Sequence, residues 1–531
     1  MTTTAHRRST GLAAAALVVA LATAGCSASS DGGSDPQQGR GTTSNGGTSN
    51  GATGGNGSPR DSAGGTAPIQ PGPNTGASPE YSEPVAPDDV PRRWSGMTDP
   101  STDPLSTFAL DIDTGSYTRF RDAVSQGHRV NPEEVRTEEF VNYFEQDYEA
   151  PRTGLGVSID AAVLPFRPDH RLVRVGIRSA DVDEETRRDA DLVLVVDCSG
   201  SMREAGKMET TKAALRTLAT SLRPTDRVAM VCYSTQARVA LRPTLVRDRG
   251  ALLGAIDELT PQSSTNAEAG LALGYDLAAS MRTEGRMTRV VLVSDGVANV
   301  GSTSPEGILE RIGEQARSGI NLVSVGVGIE NYDDRLLEQL ADRGDGWHVY
   351  VDGADEAARV FATGLTGSLV VTGRDAKAQV QFDPALVAGY RLIGYENRAV
   401  ADEQFRDDAV DGGEVFAGHA STALYEVEMR RGAPDGPFVV ATVRYRDQGG
   451  ETVERRSWLD DEGCAPDLAE ASPRLHQDYV VAMLTDRLTQ GPWSQWASAE
   501  HLRAETRRLQ AVLEDDPDVT QLADLVTRAV A

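Results

Sequence analysis

From Asp191 onward the sequence alternates short aliphatic and β-branched runs with longer stretches of helical periodicity. Leu192–Val196, Val228–Cys232, Val290–Val293 and Leu322–Val327 are almost continuously apolar, the pattern of strands buried on both faces. Between them, Thr210–Leu222, Ala267–Met281 and Pro305–Ser318 repeat apolar residues every three or four positions, which predicts amphipathic helices. Strands alternating with helices imply parallel pairing through right-handed crossovers. Residues 186–370 therefore read as an α/β domain with a doubly wound, mainly parallel sheet.

The flanks have a different rhythm. Phe108–Asp113 alternates like a strand, Ser116–Gln126 is a helix candidate, and Asn131-Pro132-Glu133-Glu134 looks like the capped start of a second helix with Val135, Phe140, Val141 and Phe144 on its apolar face. Together they make residues 96–185 a small N-terminal α/β segment. Beyond the α/β domain, Val380–Pro384, Tyr390–Asn397 and Ala423–Val427 read as strands and turns. Residues 151–180 and 376–458 are expected to pack into one β-rich module with the α/β domain inserted between them. The last unit, 371–531, ends in helices: Ser472-Pro473 is a start signal, Leu475, Tyr479, Met483 and Leu484 form one stripe, and Trp493 and Trp496 are core candidates.

The first 95 residues cannot build a core. Residues 1–25 combine His6, Arg7 and Arg8 with an apolar stretch from Leu12 to Ala22, a signal peptide too short to span a bilayer comfortably. They end in Thr23-Ala24-Gly25-Cys26, which resembles a lipobox, so Cys26 is the expected lipidation site. Residues 26–95 are dominated by Gly, Ser, Thr, Asn and Pro and read as a flexible tether of roughly 40 Å r.m.s. reach. These features place the chain, as an expectation, on the extracytoplasmic face of the cell membrane.

Composition narrows the function. Asp and Glu total 79 against 52 Lys and Arg, a formal net charge of −27, which excludes a phosphate-neutralising surface and hence nucleic acid as a partner. The three cysteines beyond Cys26, namely Cys198, Cys232 and Cys464, follow no metal-binding or disulfide-scaffold spacing and are expected to be buried free thiols.

In doubly wound sheets ligands bind beyond the carboxyl ends of the strands. Three segments near those ends carry oxygen ligands: Asp197-Cys198-Ser199-Gly200-Ser201, then Ser263-Ser264-Thr265-Asn266, then Ser294-Asp295-Gly296. Hydroxyls with one or two carboxylates suit a hard cation such as Mg²⁺, with Mn²⁺ or Ca²⁺ as alternatives, better than zinc. The plain structural alternative is that Asp197 and Ser199 cap the next segment and Asp295-Gly296 turns the chain.

The order Asp-x-Ser-x-Ser, Thr, Asp resembles the metal-ion-dependent adhesion site of von Willebrand factor A domains, whose sheet is Rossmann-like. That resemblance implies that Ser199, Ser201 and Thr265 coordinate the ion directly or through water and that Asp197 and Asp295 often act through water. It also implies a Glu or Asp carboxylate of a protein partner as the last ligand, so binding rather than turnover. Leu105–Tyr148 and Val380–Val427, flanking the A domain behind a lipoprotein signal, are similar to bacterial von Willebrand A lipoproteins of the YfbK type, as are Asp295–Gly301 and Asp407–Gly413. A competing reading is catalytic: Asp113-Thr114-Gly115-Ser116 matches the local signature of aspartic peptidases, although no second copy appears in suitable context. A third is a structural envelope protein whose A domain holds no metal.

Overall fold

The computed structural model describes residues 96–531 except 111, 182–186, 297–313, 315–317, 329–333, 345, 365–369, 396–400, 408–411 and 531. The signal peptide, Cys26, the tether, most of the Pro305–Ser318 helix and parts of the Asp295–Gly301 and Asp407–Gly413 segments lie outside the described residues.

The A domain carries a six-stranded sheet. Its strands are β4 (Ala190–Asp197), β5 (Arg227–Tyr233), β6 (Ala237–Leu245), β7 (Met287–Ser294), β8 (Ile320–Val327) and β9 (Trp347–Val351), in the order β6-β5-β4-β7-β8-β9. All pairings are parallel except the β5–β6 hairpin. Both faces are covered. Helix α3 (Lys207–Ser221) packs Leu215 and Leu218 against Leu194, Val196 and Val291 on one side. Helix α5 (Ala267–Met281) packs Leu271, Tyr275 and Ala278 against Val193, Val195 and Val290 on the other. Two glycines let α5 approach closely: a Cβ at Gly270 would lie 2.7 Å from the Tyr233 ring, and one at Gly274 would lie 2.4 Å from Val195. Helices α4 (Arg249–Asp257), α6 (Asp334–Arg343) and α7 (Ala354–Ala358) complete the domain among the described residues.

The flanks share their strands, as their patterns predict. Strands β2 (Leu155–Leu164) and β3 (Arg167–Ser179) precede the A domain, and β3 pairs antiparallel with β13 (Ala420–Met429), which follows it. With β11 (Val387–Ile393) they form the sheet β11-β13-β3-β2. A second sheet runs β1-β10-β14-β15, from β1 (Leu105–Ala109), β10 (Val371–Phe382), β14 (Pro437–Arg446) and β15 (Thr452–Asp460), with β12 (Val415–Phe416) beside β10. Val173, Val175 and Ile177 of one sheet share a core with Phe108, Val380, Val439 and Val443 of the other. This is a sandwich into which the A domain is inserted.

A third core joins the two ends of the folded chain. Helices α1 (Gly115–Ser125) and α2 (Thr137–Tyr143) supply Tyr117, Phe120 and Phe140, while α8 (Pro473–Thr489), α9 (Ala499–Val512) and α10 (Pro517–Ala529) supply Leu475, Met483, Leu502, Leu522 and Val526. Ser472 caps α8 through the Leu475 N–H, and Trp493 is fully buried in this core, as the sequence predicts. The second N-terminal helix departs from expectation. Asn131 does cap a turn, but that turn is a 3-10 segment, Pro132–Glu134, and α2 begins only at Thr137. The Ser116 hydroxyl explains the break: it donates to the Glu134 carbonyl at 2.5 Å and accepts the Arg136 N–H at 2.9 Å, holding the intervening residues extended. Strand β1 likewise ends at Ala109, short of the predicted Asp113.

Candidate metal centre

Strand β4 is buried along its whole length and ends on Asp197, its second acidic residue after Asp191. Asp197 Oδ1 accepts the Ser199 N–H at 2.7 Å, which curls the following loop back over the strand end. The curl brings the Ser199 and Ser201 hydroxyls within 2.9 Å of each other. Asp197 Oδ2 accepts from Tyr233 OH at 3.1 Å and from the Ser294 hydroxyl at 3.0 Å, so the ends of β4, β5 and β7 are tied through one carboxylate.

The Thr265 loop docks on the same place. The Gly200 N–H donates to the Ser263 carbonyl and the Gln262 N–H to the Cys198 carbonyl, both at 2.7 Å. A Cβ at Gly200 would lie 2.9 Å from the Ser263 carbonyl oxygen, so only glycine permits this approach. Thr265 itself is buried at the mouth of α5, whose N-terminus is capped by Asn266 accepting the Ala269 N–H. Asp295 follows β7 directly, is fully buried, and has one oxygen, Oδ1, without a hydrogen-bond partner among the described residues. Its Oδ2 lies 3.2 Å from Nζ of Lys207 at the start of α3.

Electrostatics agree with the geometry. Burial pushes the Asp197 carboxyl up to about 6, and the nearby Asp295 charge adds to the rise against the pull of hydrogen bonds from Ser199 and Ser294. The strand ends thus gather carboxylate and hydroxyl oxygens around Asp197 and Asp295, with the Lys207 ammonium as the adjoining cation. Among the described residues no three His, Cys, Asp or Glu side chains converge to hold a metal; the candidate donor set is the Asp197 and Asp295 carboxylates with the paired Ser199 and Ser201 hydroxyls and Thr265, buried on the loop that docks against theirs. That set, with an orphaned buried carboxylate oxygen, fits a hard divalent cation.

Sequence reasoning left several of these residues unassigned. Tyr233 only follows the predicted Val228–Cys232 strand and Ser294 the Val290–Val293 strand, and Lys207 is one of three lysines in the chain. The expectation for two cysteines is corrected: Cys198 and Cys232 form a disulfide. They sit at the ends of adjacent parallel strands, where Val196 pairs with Cys232, and their Cα atoms are 5.8 Å apart, within bridging range. Cys464 is a free thiol, half-buried.

Asp113 does not stand in an open cleft. It is buried and its Oδ1 accepts the His348 N–H at 2.9 Å, anchoring the start of α1 to β9. His348 is equally structural, with Nδ1 2.7 Å from the Ser324 hydroxyl.

A family model for the von Willebrand factor type A domain matches residues 191–361. A von Willebrand factor model matches 92–174, and the model of the uncharacterized protein YfbK, C-terminal, matches 367–529. The uncharacterized protein YfbK of Escherichia coli K12 is 35% identical over 335 residues, covering 61% of this chain and 58% of that protein. The uncharacterized protein sll0103 of Synechocystis is 26% identical over 191 residues, 36% of this chain and 44% of its own length. The matches thus span about half the length of these two relatives. Among solved structures, a von Willebrand factor type A protein from Catenulispora acidiphila is 15% identical with a TM-score of 0.39, covering 73% of this chain and 88% of that one.

Proposed function

This chain is a von Willebrand factor type A protein of the YfbK type, and on that premise we propose that it is an adhesion or scaffolding protein whose A domain grips a protein partner through a divalent cation. Asp197, Ser199, Ser201, Thr265 and Asp295 are the residues that would hold the ion, Mg²⁺ first, with Mn²⁺ or Ca²⁺ as alternatives. Bound there, the ion supplies an open position for a Glu or Asp carboxylate of the partner. The proposal includes place: lipid attachment at Cys26 and the 26–95 tether would present the folded part on the extracytoplasmic face of the cell membrane.

The observation that carries the reading is the buried Asp295 Oδ1, left without a partner among the described residues beside a second buried carboxylate and a pair of facing hydroxyls. Buried carboxylate oxygens are normally satisfied, and an orphan one beside other oxygens calls for a cation. The test is thermal unfolding and calorimetric titration with Mg²⁺ and Mn²⁺ of the wild type, Asp197→Ala and Asp295→Asn. The wild type is expected to release or take up heat and to melt higher with metal, reversibly in chelator, while both variants fold but respond to neither ion. A wild type indifferent to both ions rejects the proposal.

One observation favours the metal-free structural reading, namely the Lys207 ammonium 3.2 Å from Asp295 Oδ2. The same titration decides between the two. The location is tested separately by labelling with a palmitate analogue, which Cys26→Ser should abolish.

A further inference from the structure

Cys198 stands where the candidate ligand loops meet. It lies between Asp197 and Ser199, and three bonds hold it. Its N–H donates to the Tyr233 carbonyl at 2.8 Å, its carbonyl accepts the Gln262 N–H at 2.7 Å, and its sulfur is bonded to that of Cys232 on β5. Both cysteines are buried. The residues just after Cys232 hold the rest of the centre. Tyr233 OH donates to Asp197 Oδ2, and the Ser234 carbonyl accepts the Asn266 N–H at 2.8 Å. The Ser234 hydroxyl donates to Gln262 Oε1 at 2.9 Å, and the Thr235 hydroxyl lies 3.1 Å from that of Ser263. One cysteine thus sits among the ligands of the first loop, while the other directly precedes the strand end from which the Thr265 loop hangs.

We propose that the Cys198–Cys232 disulfide is a positioning element of the metal centre: it clamps the Asp197–Ser201 loop to the end of β5 and so sets the spacing of donors that come from separate loops. This rests on the metal-dependent reading above. A hard divalent cation takes its oxygen ligands at narrow distances, and donors already in place bind it without the cost of ordering them. The sulfurs are not ligands themselves, because such a cation prefers oxygen and a disulfide offers no thiolate. Their part is to replace a contact that can open with one that cannot. Hydrogen bonds between the loops are individually weak, whereas the covalent link keeps Ser199 and Ser201 beside the segment that carries Thr265 even when one of those bonds breaks. Metal affinity, and not only fold stability, therefore depends on the oxidation state of this one cystine.

The probe is Mn²⁺ alone, titrated calorimetrically into the whole protein in its oxidised, reduced and reoxidised forms, with far-UV circular dichroism to establish folding. Because the bond is buried, reduction uses dithiothreitol in urea. Two thiol–disulfide exchanges leave Cys198 and Cys232 as thiols and the reagent as a cyclic disulfide, after which reagent and urea are removed without air. The reduced protein should fold, bind Mn²⁺ about tenfold or more weakly than the oxidised one, and recover on reoxidation. The double variant Cys198→Ala/Cys232→Val, which has no bond and keeps apolar groups where the sulfurs stand, should match the reduced protein and covers the case in which that protein does not fold. Leu340→Ala separates positioning from stability. Leu340 is buried on α6, which packs against β8 and β9, so the cavity should lower the melting temperature and leave Mn²⁺ affinity unchanged. Bond-free proteins that fold and bind Mn²⁺ as tightly as the oxidised wild type overturn the role of the disulfide and leave the metal reading standing, as does an equal loss of affinity in Leu340→Ala. A silent oxidised wild type overturns both.

Discussion

Replacing Glu426 by glutamine should unfasten the helical end of the chain from the sandwich. Glu426 lies on β13, is 1% exposed, and has four partners from three parts of the sequence. Arg167 donates to Oε1 at 2.6 Å, His170 Nδ1 lies 2.9 Å from the same oxygen, and Arg391 and the Trp493 indole N–H donate to Oε2, both at 2.8 Å. Burial alone would raise this carboxyl, but His170, Arg391 and Trp493 outweigh it and hold the group down at about 2 against an ordinary 4.5. That difference corresponds to roughly 3 kcal/mol of stability.

The sign follows from proton uptake. Between the two values the unfolded chain binds more protons than the native one, so this contribution is complete above about pH 4.5 and is lost as pH falls towards 2. At pH 7, Glu426→Gln should therefore lose roughly 3 kcal/mol or slightly more, because the buried Arg391 guanidinium and the half-buried Arg167 are left without their counter-charge. At pH 3 the deficit should shrink markedly. Urea unfolding followed by the emission of buried Trp493 measures both. A variant within about 1 kcal/mol of the wild type at pH 7, or a deficit unchanged at pH 3, would refute the reasoning.

Two more outcomes follow from buried groups. Arg289 on β7 is 2% exposed, with Nε and one Nη lacking hydrogen bonds and the guanidinium 4.8 Å over the Phe416 ring; burial pushes its pKa down to about 10. Arg289→Met should therefore stabilise the protein by roughly 1–3 kcal/mol in urea titration at pH 7, and a loss of stability would show that the charge has a compensation not accounted for. The Cys198–Cys232 bridge closes a span of 34 residues, which chain entropy values at roughly 4 kcal/mol. The double variant C198S/C232S should lower A-domain stability by about that amount, measured by pulse proteolysis in urea, and alkylation of unfolded, unreduced wild type should modify Cys464 alone among these three cysteines.

What the sequence discloses and what it hides divide along one physical line. Strand β4 and helix α5 are legible because their periodicity is local: a run of buried residues ending on Asp197, and fifteen residues from Ala267 with caps at hand. The three ligand segments are legible for the same reason, since each abuts a strand or helix end and a doubly wound sheet gathers such ends on one side. Glu426 is not legible, because its partners lie 259, 35 and 67 residues away in Arg167, Arg391 and Trp493, and no local pattern announces them. The cysteine pair is hidden for a related reason. Spacing along the chain says nothing about two residues that parallel pairing sets side by side across 34 positions. Lys207 shows the limit most sharply. Its identity is plain in the text, but its burial depends on Gly328, 121 residues away at the end of another strand, leaving room where a side chain would otherwise stand. A local motif thus identifies which atoms could hold an ion, whereas the charged side chains that surround those atoms come from tertiary neighbours.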